Sequence, residues 1–137
     1  EGARFILSNA PVARRLGSLD ALAEQTESPL IWADATSDDD LRQLFEQAKT
    51  HYGQIDFIVH AIGMGINVRK DVPYEKLNYD WYHKTLDISA ISLHRMIHHA
   101  VESGVLADGA SIAGDSSQRK SVYGISFQVS GRRRSPG

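Results

Sequence analysis

Apolar residues along this chain form two kinds of pattern. Short continuous apolar runs predict β-strands at residues 4–8, 30–33, 55–62 and 110–113. Apolar positions spaced three and four residues apart predict helices at residues 12–26, 37–52, 78–103 and 122–129. Strands and helices therefore alternate regularly. Alternation with continuously apolar strands is typical of parallel α/β structure, in which helices cover both faces of the sheet.

Local signals support the helix boundaries. Pro29 stops the first helix, and Ser37 or Asp38 is expected to cap the second, whose acidic first turn suits the helix dipole. Gly53 and Gly104 follow the second and third helices, as helix-ending glycines do. We therefore expect a single α/β domain over residues 1–130 and a flexible basic tail over 131–137.

The composition is that of an ordinary globular domain of 137 residues, with 42% apolar and 23% charged residues. A net charge of −2 produces no field that attracts nucleic acid, and no apolar run approaches membrane-spanning length. The absence of cysteine excludes disulfides, thiolate metal sites and a cysteine nucleophile. It also fits a reducing compartment, so we expect a cytoplasmic protein without nucleic-acid or membrane partners.

Candidate chemistry follows the predicted strands. Right-handed crossovers place the carboxyl ends of parallel strands at one edge, where ligands bind. Segments 8–10, 33–36, 60–65 and 114–121 would meet there. A glycine after one strand is more often a plain turn, but four such segments favour a ligand site. Small residues at 61, 63 and 65 allow close approach to the backbone, and the last segment opens a helix, where free N–H groups favour a phosphate.

At these segments the sequence resembles the short-chain dehydrogenase/reductases, and within them the bacterial enoyl-[acyl-carrier-protein] reductases. Residues 59–63, Val-His-Ala-Ile-Gly, are similar to a Val-His-Ser-Ile-Gly sequence of that family. Residues 87–92 carry its Asp-Ile-Ser element, and Asp34 followed by Ala35 resembles its adenine-contacting Asp. The resemblance covers residues 2–112 and implies a Rossmann-like, doubly wound parallel sheet of about four strands, half of a full domain of that family.

A further element of the family lies near the carboxyl end. Gly114, four intervening residues, Arg119, three more residues and Tyr-Gly-Ile-Ser at 123–126 resemble the family's phosphate-binding spacing, although Lys120 and Ser121 replace its Ser-Ile pair. The family has this element at its amino terminus. The order therefore resembles a circular permutation, which is tolerated where the original termini lie close together.

The resemblance implies a nicotinamide dinucleotide cofactor. The expected cofactor-binding residues are Gly114, Arg119, Lys120, Ser121, Asn9, Asp34, Ala35, Ala61, Ile62 and Gly63. Met64 and Gly65 are expected at the substrate. The first strand ends in Asn9 rather than in an acidic ribose ligand, and Arg14 and Arg15 nearby suit a 2′-phosphate. NAD and NADP therefore both remain open, with NADH favoured by the resemblance.

The implied activity is hydride transfer from NAD(P)H to an unsaturated acyl thioester in fatty acid synthesis. The family's catalytic Tyr and Lys have no counterpart here, because the residues three and seven positions after Tyr123 are Ser126 and Ser130. We assign no catalytic residue. The alternatives are a non-catalytic dinucleotide-binding or self-assembling fragment, or a remnant without a ligand. Because a half-size sheet leaves edges to cover, we expect a homo-oligomer formed by exchange of the terminal strand or helix.

Other clusters have simpler interpretations. His94 and His98, with His99 beside them, have a spacing that can hold a metal, but a polar surface stripe is favoured and no metal site is assigned. The acidic run 38–40 favours helix capping, and the basic run 132–134 a solvated tail. The aromatic residues at 79, 81 and 82 can line a substrate cleft, although packing at the helix entry is favoured.

Overall fold

The computed structural model describes residues 2–114. Its strands are β1 (Leu7–Asn9), β2 (Leu30–Trp32), β3 (Ile55–His60) and β4 (Leu106–Gly114). Its α-helices are α1 (Ser18–Thr26), α2 (Asp38–Tyr52), α3 (Ile66–Arg69), α4 (Tyr79–Leu86) and α5 (Ser92–Glu102). Two short 3₁₀-helices, Pro11–Leu16 and Tyr74–Lys76, and a π-helical turn, Asp87–Ile91, complete the order.

The predicted alternation of strands and helices is confirmed over this part of the chain, with differences at the boundaries. The helix predicted at 12–26 is interrupted at Gly17, whose φ of +67° separates the 3₁₀-helix from α1. The long helix predicted at 78–103 consists of α4, the π-helical turn and α5. The helix predicted at 122–129 and the basic tail lie outside the described residues.

The strands pair in parallel, as predicted, but in two sheets rather than one. β1 pairs with β2, with Asn9 opposite Trp32, and β3 pairs with β4, with His60 opposite Gly114. The second pair contains an irregularity, because Ile55 lies opposite Leu106 whereas Phe57 lies opposite Ser111. Gly109, with a φ of +74°, lies in this bulge.

One hydrophobic core joins both strand pairs to α2 and α5. α2 contributes Leu41, Leu44, Phe45 and Ala48, whose spacing puts them on one helix face. α5 contributes Met96 and Ala100, and the strands contribute Ile31, Ile55 and Ile58. Burial of each large aliphatic side chain stabilises the fold by roughly 1.5–3 kcal/mol. Within residues 2–114, no helix combines the length and apolar character needed to cross a bilayer.

The amino terminus of α2 fixes the end of β2. The Ser37 hydroxyl caps the helix by accepting a hydrogen bond from the Asp40 N–H at 3.2 Å. The Asp40 carboxylate accepts one from the Asp34 N–H at 2.8 Å. Of the two expected caps, Ser37 is therefore confirmed rather than Asp38, and the Asp40 carboxylate holds the turn after β2 against α2.

Met96→Ala is expected to lower the free energy of unfolding by about 2–5 kcal/mol, because Met96 is fully buried and truncation leaves a cavity. Val101→Ala on the same helix is the matched control, since Val101 is 62% exposed, and should change stability by less than about 0.5 kcal/mol. Urea unfolding monitored by circular dichroism measures both. Equal effects of the two substitutions would contradict the packing described for α5.

Candidate functional site

The structure brings the predicted segments together in two neighbouring groups. The Ala33 N–H donates to the Asn9 carbonyl at 2.9 Å, so the ends of β1 and β2 are adjacent. His60 lies opposite Gly114, so the loop after β3 lies beside the end of β4. Ala33, Ala35 and Ile62 belong to the same core cluster, which joins the two groups. Arg119, Lys120 and Ser121 lie outside the described residues.

Two polar side chains are buried at the end of β1. Ser8 and Asn9 are 0% and 3% exposed. The Asn9 Oδ1 atom accepts a hydrogen bond from the Ala10 N–H at 2.8 Å. Among the described residues, the Asn9 Nδ2 and Ser8 Oγ atoms have no hydrogen-bond partner. A buried donor left unpaired costs about 1–3 kcal/mol, so Asn9 has a strong tendency to bind an acceptor at this strand end.

Asp34 is held in a tight turn after β2. Its Oδ1 atom accepts hydrogen bonds from the N–H and the hydroxyl of Thr36, both at 2.8 Å. These bonds, with the one from the Asp34 N–H to Asp40, fix the carboxylate before any ligand arrives. Ala35 is buried, with 4% exposure, and packs in the core. Asp34 can therefore offer its carboxylate to a ligand, whereas Ala35 can offer only its backbone.

The loop after β3 is hydrogen-bonded to the helices that follow it. The Met64 N–H donates to the Ser89 hydroxyl at 2.9 Å, and this hydroxyl lies 3.2 Å from the Met64 carbonyl, to which it donates. The Ile66 N–H donates to the Thr85 hydroxyl at 3.2 Å. Side chains of α4 and the π-helical turn thus satisfy backbone groups that the loop cannot pair itself.

His60 fixes the base of the same loop. Its side chain is buried, and its Nε2 atom lies 2.8 Å from the Ser92 Oγ atom. The Ser92 hydroxyl donates its single hydrogen to the Ile88 carbonyl at 2.6 Å, so His60 Nε2 is the donor in the other bond. Burial lowers the pKa of His60 below its usual value of 6.5. His60 therefore supports the loop through this hydrogen bond and is not assigned a role in proton transfer.

The sequence identifies the Asp-Ile-Ser element but does not predict that hydroxyl groups in and beside it form hydrogen bonds to the loop after β3. The residues that form these bonds are Thr85, Ser89 and Ser92, which are four and three positions apart and therefore share one helix face. A stripe of hydroxyl side chains on that face is the signal that could have revealed them. The π-helical turn Asp87–Ile91 lies within this stripe, and such turns occur frequently at functional sites.

Glycines in the loop differ in their surroundings. Gly63 is exposed, and a Cβ atom built on it would have no neighbour within 4 Å. A Cβ atom on Gly65 would contact the Val68 side chain at 3.5 Å, and one on Gly114 would contact Leu93 at 3.5 Å. The packing of the described residues therefore does not require glycine at position 63, and the space above it can admit a ligand. Met64 and Gly65 are partly buried.

The remaining candidate residues surround these groups. The Arg14 guanidinium lies 5.2 Å from the centre of the Trp32 ring, beside the end of β1, whereas the Arg15 Nε atom donates to the Val12 carbonyl. The expected packing of the aromatic residues at the helix entry is found for Trp81, which is partly buried and has the Lys70 ammonium 4.9 Å from the centre of its ring. It does not hold for Tyr79 and Tyr82, which are exposed because α4 turns that side to solvent.

A separate cavity of about 590 Å³ lies along the β3–β4 bulge. It is lined by Asp56, Phe57, Asp108, Gly109, Ser111 and Ala113. None of these residues was predicted to bind cofactor or substrate. The cavity is thus distinct from the strand ends that carry the candidate site.

Comparisons with known proteins agree with this arrangement. Residues 1–131 match the family described as Enoyl-(Acyl carrier protein) reductase. FabI from Alistipes finegoldii is 43% identical with a TM-score of 0.75, the match covering 80% of this chain and 42% of that chain. The FabI-NADH complex from the same organism is also 43% identical, with a TM-score of 0.76, and the match covers 80% of this chain and 39% of that chain. A short-chain dehydrogenase/reductase from Brucella melitensis is 27% identical, with a TM-score of 0.67, and the match covers 82% of this chain and 46% of that chain.

No curated protein sequence matches the chain. The chain spans less than half of the length of the solved proteins that it resembles, between 39% and 46%.

Lowering the pH from about 7 to 5 is expected to reduce the free energy of unfolding, by up to about 1.4 kcal/mol per pH unit from His60 alone. The pKa of His60 is lowered in the folded protein, so the unfolded chain takes up a proton near pH 6.5 while the folded protein resists it. Urea unfolding at several pH values measures this dependence. His60→Gln should flatten it, whereas His94→Gln, at an exposed histidine, should not. Identical pH slopes in all three proteins would rule out the assigned role.

Proposed function

Because this chain belongs to the enoyl-(acyl carrier protein) reductase family of short-chain dehydrogenase/reductases, we propose that it binds a nicotinamide dinucleotide at the carboxyl ends of its strands. The observation that carries the proposal is the buried Asn9 amide, whose Nδ2 atom has no partner among the described residues. It lies next to the turn in which Asp34 is already fixed. A ligand with oxygen acceptors at this edge would pair the amide and remove its desolvation cost.

The residues present fit such a cofactor. On this proposal, Asn9, Asp34 and the Ala35 backbone hold the adenosine portion. The backbone at 61–63 lines the path of the dinucleotide, where the open space above Gly63 supports close approach. Gly114 with Arg119, Lys120 and Ser121 would bind its phosphates, as free N–H groups and basic side chains do. When bound, the nicotinamide supplies the hydride.

We propose NADH rather than NADPH as the cofactor. Support comes from the 43% identity to the FabI protein that was solved as an NADH complex. Arg14 is the residue that would meet a 2′-phosphate, because its guanidinium lies over Trp32 beside Asn9. Arg15 is less suited to this role, since its Nε atom is already bonded to the Val12 carbonyl. Titration with both nucleotides therefore belongs in the same experiment.

Hydride transfer to an unsaturated acyl thioester, a step of fatty acid synthesis, is the second candidate function. The family match and the 43% identity to FabI favour it. In this reaction the hydrogen-bonded loop after β3 would position the substrate at Met64 and Gly65, with Ser89 holding the Met64 backbone on both sides. His60 would support the loop without exchanging a proton, because it is buried and bonded to Ser92.

Three other features stay predictions: a cytoplasmic location, self-association through the sheet edges, and the circularly permuted order. Self-association is supported by exposed apolar side chains at Val68, Tyr74, Tyr79 and Ile91. Among the described residues, β1 pairs only with β2 and β4 only with β3, so each strand pair has edges that a second copy of the chain could cover.

Gly63→Val is expected to abolish the rise in melting temperature that NADH gives the unmodified protein, because the branched side chain occupies the space proposed for the cofactor. Stabilisation by about 2.7 kcal/mol is expected at a concentration 100-fold above the dissociation constant. Without NADH the variant should melt as the unmodified protein does, since its Cβ atom meets no neighbour.

Gln43→Val, at an exposed position of α2, is the matched control and should keep the full response to NADH. Calorimetric titration with NADH and NADPH gives the two affinities. An unmodified protein that does not respond to either nucleotide would overturn the binding proposal.

Turnover is tested with a crotonyl thioester and NADH, followed as loss of nicotinamide absorbance. If the chain has the second candidate function, activity should rise in proportion to the concentration of pure protein, with the proton taken from solvent because no catalytic residue is assigned, and Gly63→Val should remove it. Binding of NADH without any turnover would leave the dinucleotide-binding function standing and exclude the reductase activity.

A further inference from the structure

Three side chains with metal-binding atoms converge on the last turn of α5. The His98 Nε2 atom lies 3.4 Å from the Glu102 Oε2 atom, and the His99 Nδ1 atom lies 3.8 Å from the same oxygen. The three donor atoms all lie within 4.8 Å of one another. The sequence favours a polar surface stripe for His94, His98 and His99, whereas in the structure His98 and His99 lie together with Glu102 and His94 is not part of the cluster.

These distances are close to those of a tetrahedral zinc site. With bonds of 2.0–2.1 Å, neighbouring donors of such a site lie about 3.4 Å apart. The pair His98–Glu102 already has this separation, and His99 lies 3.8 Å from the same Glu102 oxygen. The three donor atoms span up to 4.8 Å, so the two imidazoles have to rotate toward each other to bind one ion. Two imidazoles and one carboxylate are ligands that Zn²⁺ accepts readily, and three protein ligands leave a fourth position for water.

A fourth residue orients His99 from another helix. His99 is only 5% exposed, and its Nε2 atom lies 2.8 Å from the Asp38 Oδ1 atom at the start of α2. This bond directs the opposite ring nitrogen, Nδ1, toward His98 and Glu102. Metal-binding histidines characteristically have their second nitrogen bonded to a carboxylate in this way.

The charges around the cluster are compatible with a bound cation. Two arginines face it from α2 and α5, and each is already bonded to carboxylates. The Arg42 Nη1 atom lies 2.6 Å from Asp39, and the Arg95 guanidinium lies 3.3 Å from both Asp38 and Asp87. The cluster is also at the carboxyl end of α5, where the helix dipole favours positive charge.

We propose that His98, His99 and Glu102 form a Zn²⁺-binding site with Asp38 as the orienting carboxylate. The site lies away from the strand ends and does not depend on the proposed function. The three ligands all belong to α5, and the ion would reach α2 only through the hydrogen bond between His99 and Asp38. The ion would therefore stabilise the fold as well as bind to it.

The test is titration of the full chain with Zn²⁺ alone by calorimetry, and with Co²⁺ by visible absorption, which reports tetrahedral coordination. One ion per chain is expected, with a higher melting temperature in the presence of Zn²⁺. His98→Gln and Glu102→Gln should each weaken binding at least about 10-fold, and Asp38→Asn by about 10-fold as well.

His94→Gln is the matched control, since His94 is an exposed histidine on the same helix outside the cluster, and it should leave binding unchanged. The side chains of His98 and Glu102 are 53% and 63% exposed, so their substitution should leave the circular dichroism spectrum unchanged. Absence of saturable binding, or equal weakening by His94→Gln and His98→Gln, would overturn the proposal. The cluster would then be a surface ion pair only.

Discussion

The hydrogen bonds between the loop after β3 and the helix pair α4–α5 are the constraint on which the rest of the site depends. The loop leaves the sheet at His60, so its own N–H groups cannot all pair within a strand or helix. The hydroxyl groups of Ser89 and Thr85 accept hydrogen bonds from the Met64 and Ile66 N–H groups, and Ser92 is bonded to the His60 ring at the base of the loop. The loop is therefore held on both sides of Gly65, and a loop fixed in advance would lose less entropy in binding the proposed ligand.

α5 connects the loop after β3 to α2, because it is hydrogen-bonded at both of its ends. Its first residue, Ser92, is bonded to His60 on β3, and its last turn carries His99, which is bonded to Asp38 on α2. Between these ends, Met96 and Ala100 pack in the core. The polar contacts set the direction of the helix, while the apolar contacts supply most of the free energy that keeps it in place.

Much of the fold could be predicted from the sequence, because helix and strand periodicities are local properties. The boundaries of α2, with Ser37 before it and Gly53 after it, follow from residues that are neighbours in the chain. The division of the strands into two pairs could not be predicted, since pairing depends on contacts between distant segments. The π-helical turn was also missed, because Asp-Ile-Ser-Ala-Ile contains no residue that breaks an α-helix. At the site, strand ends indicated Asn9 and Asp34, but the unpaired state of the Asn9 amide needed coordinates. The same holds for His99, whose ring direction is set by a carboxylate sixty-one positions earlier.

The buried amide of Asn9 has a consequence for engineering this protein. Its unpaired donor makes the ligand-free fold less stable than an apolar side chain of similar size would, by an amount comparable to a tenth or more of a small domain's total stability. An apolar side chain here would remove the unpaired donor, but it would also remove the hydrogen bond from the Ala10 N–H and the polar group assigned to the proposed ligand. Any programme of stabilisation should therefore hold Asn9 constant and seek its gains on the exposed faces of α1 and α2, where capping and charge can be improved at no expense to recognition.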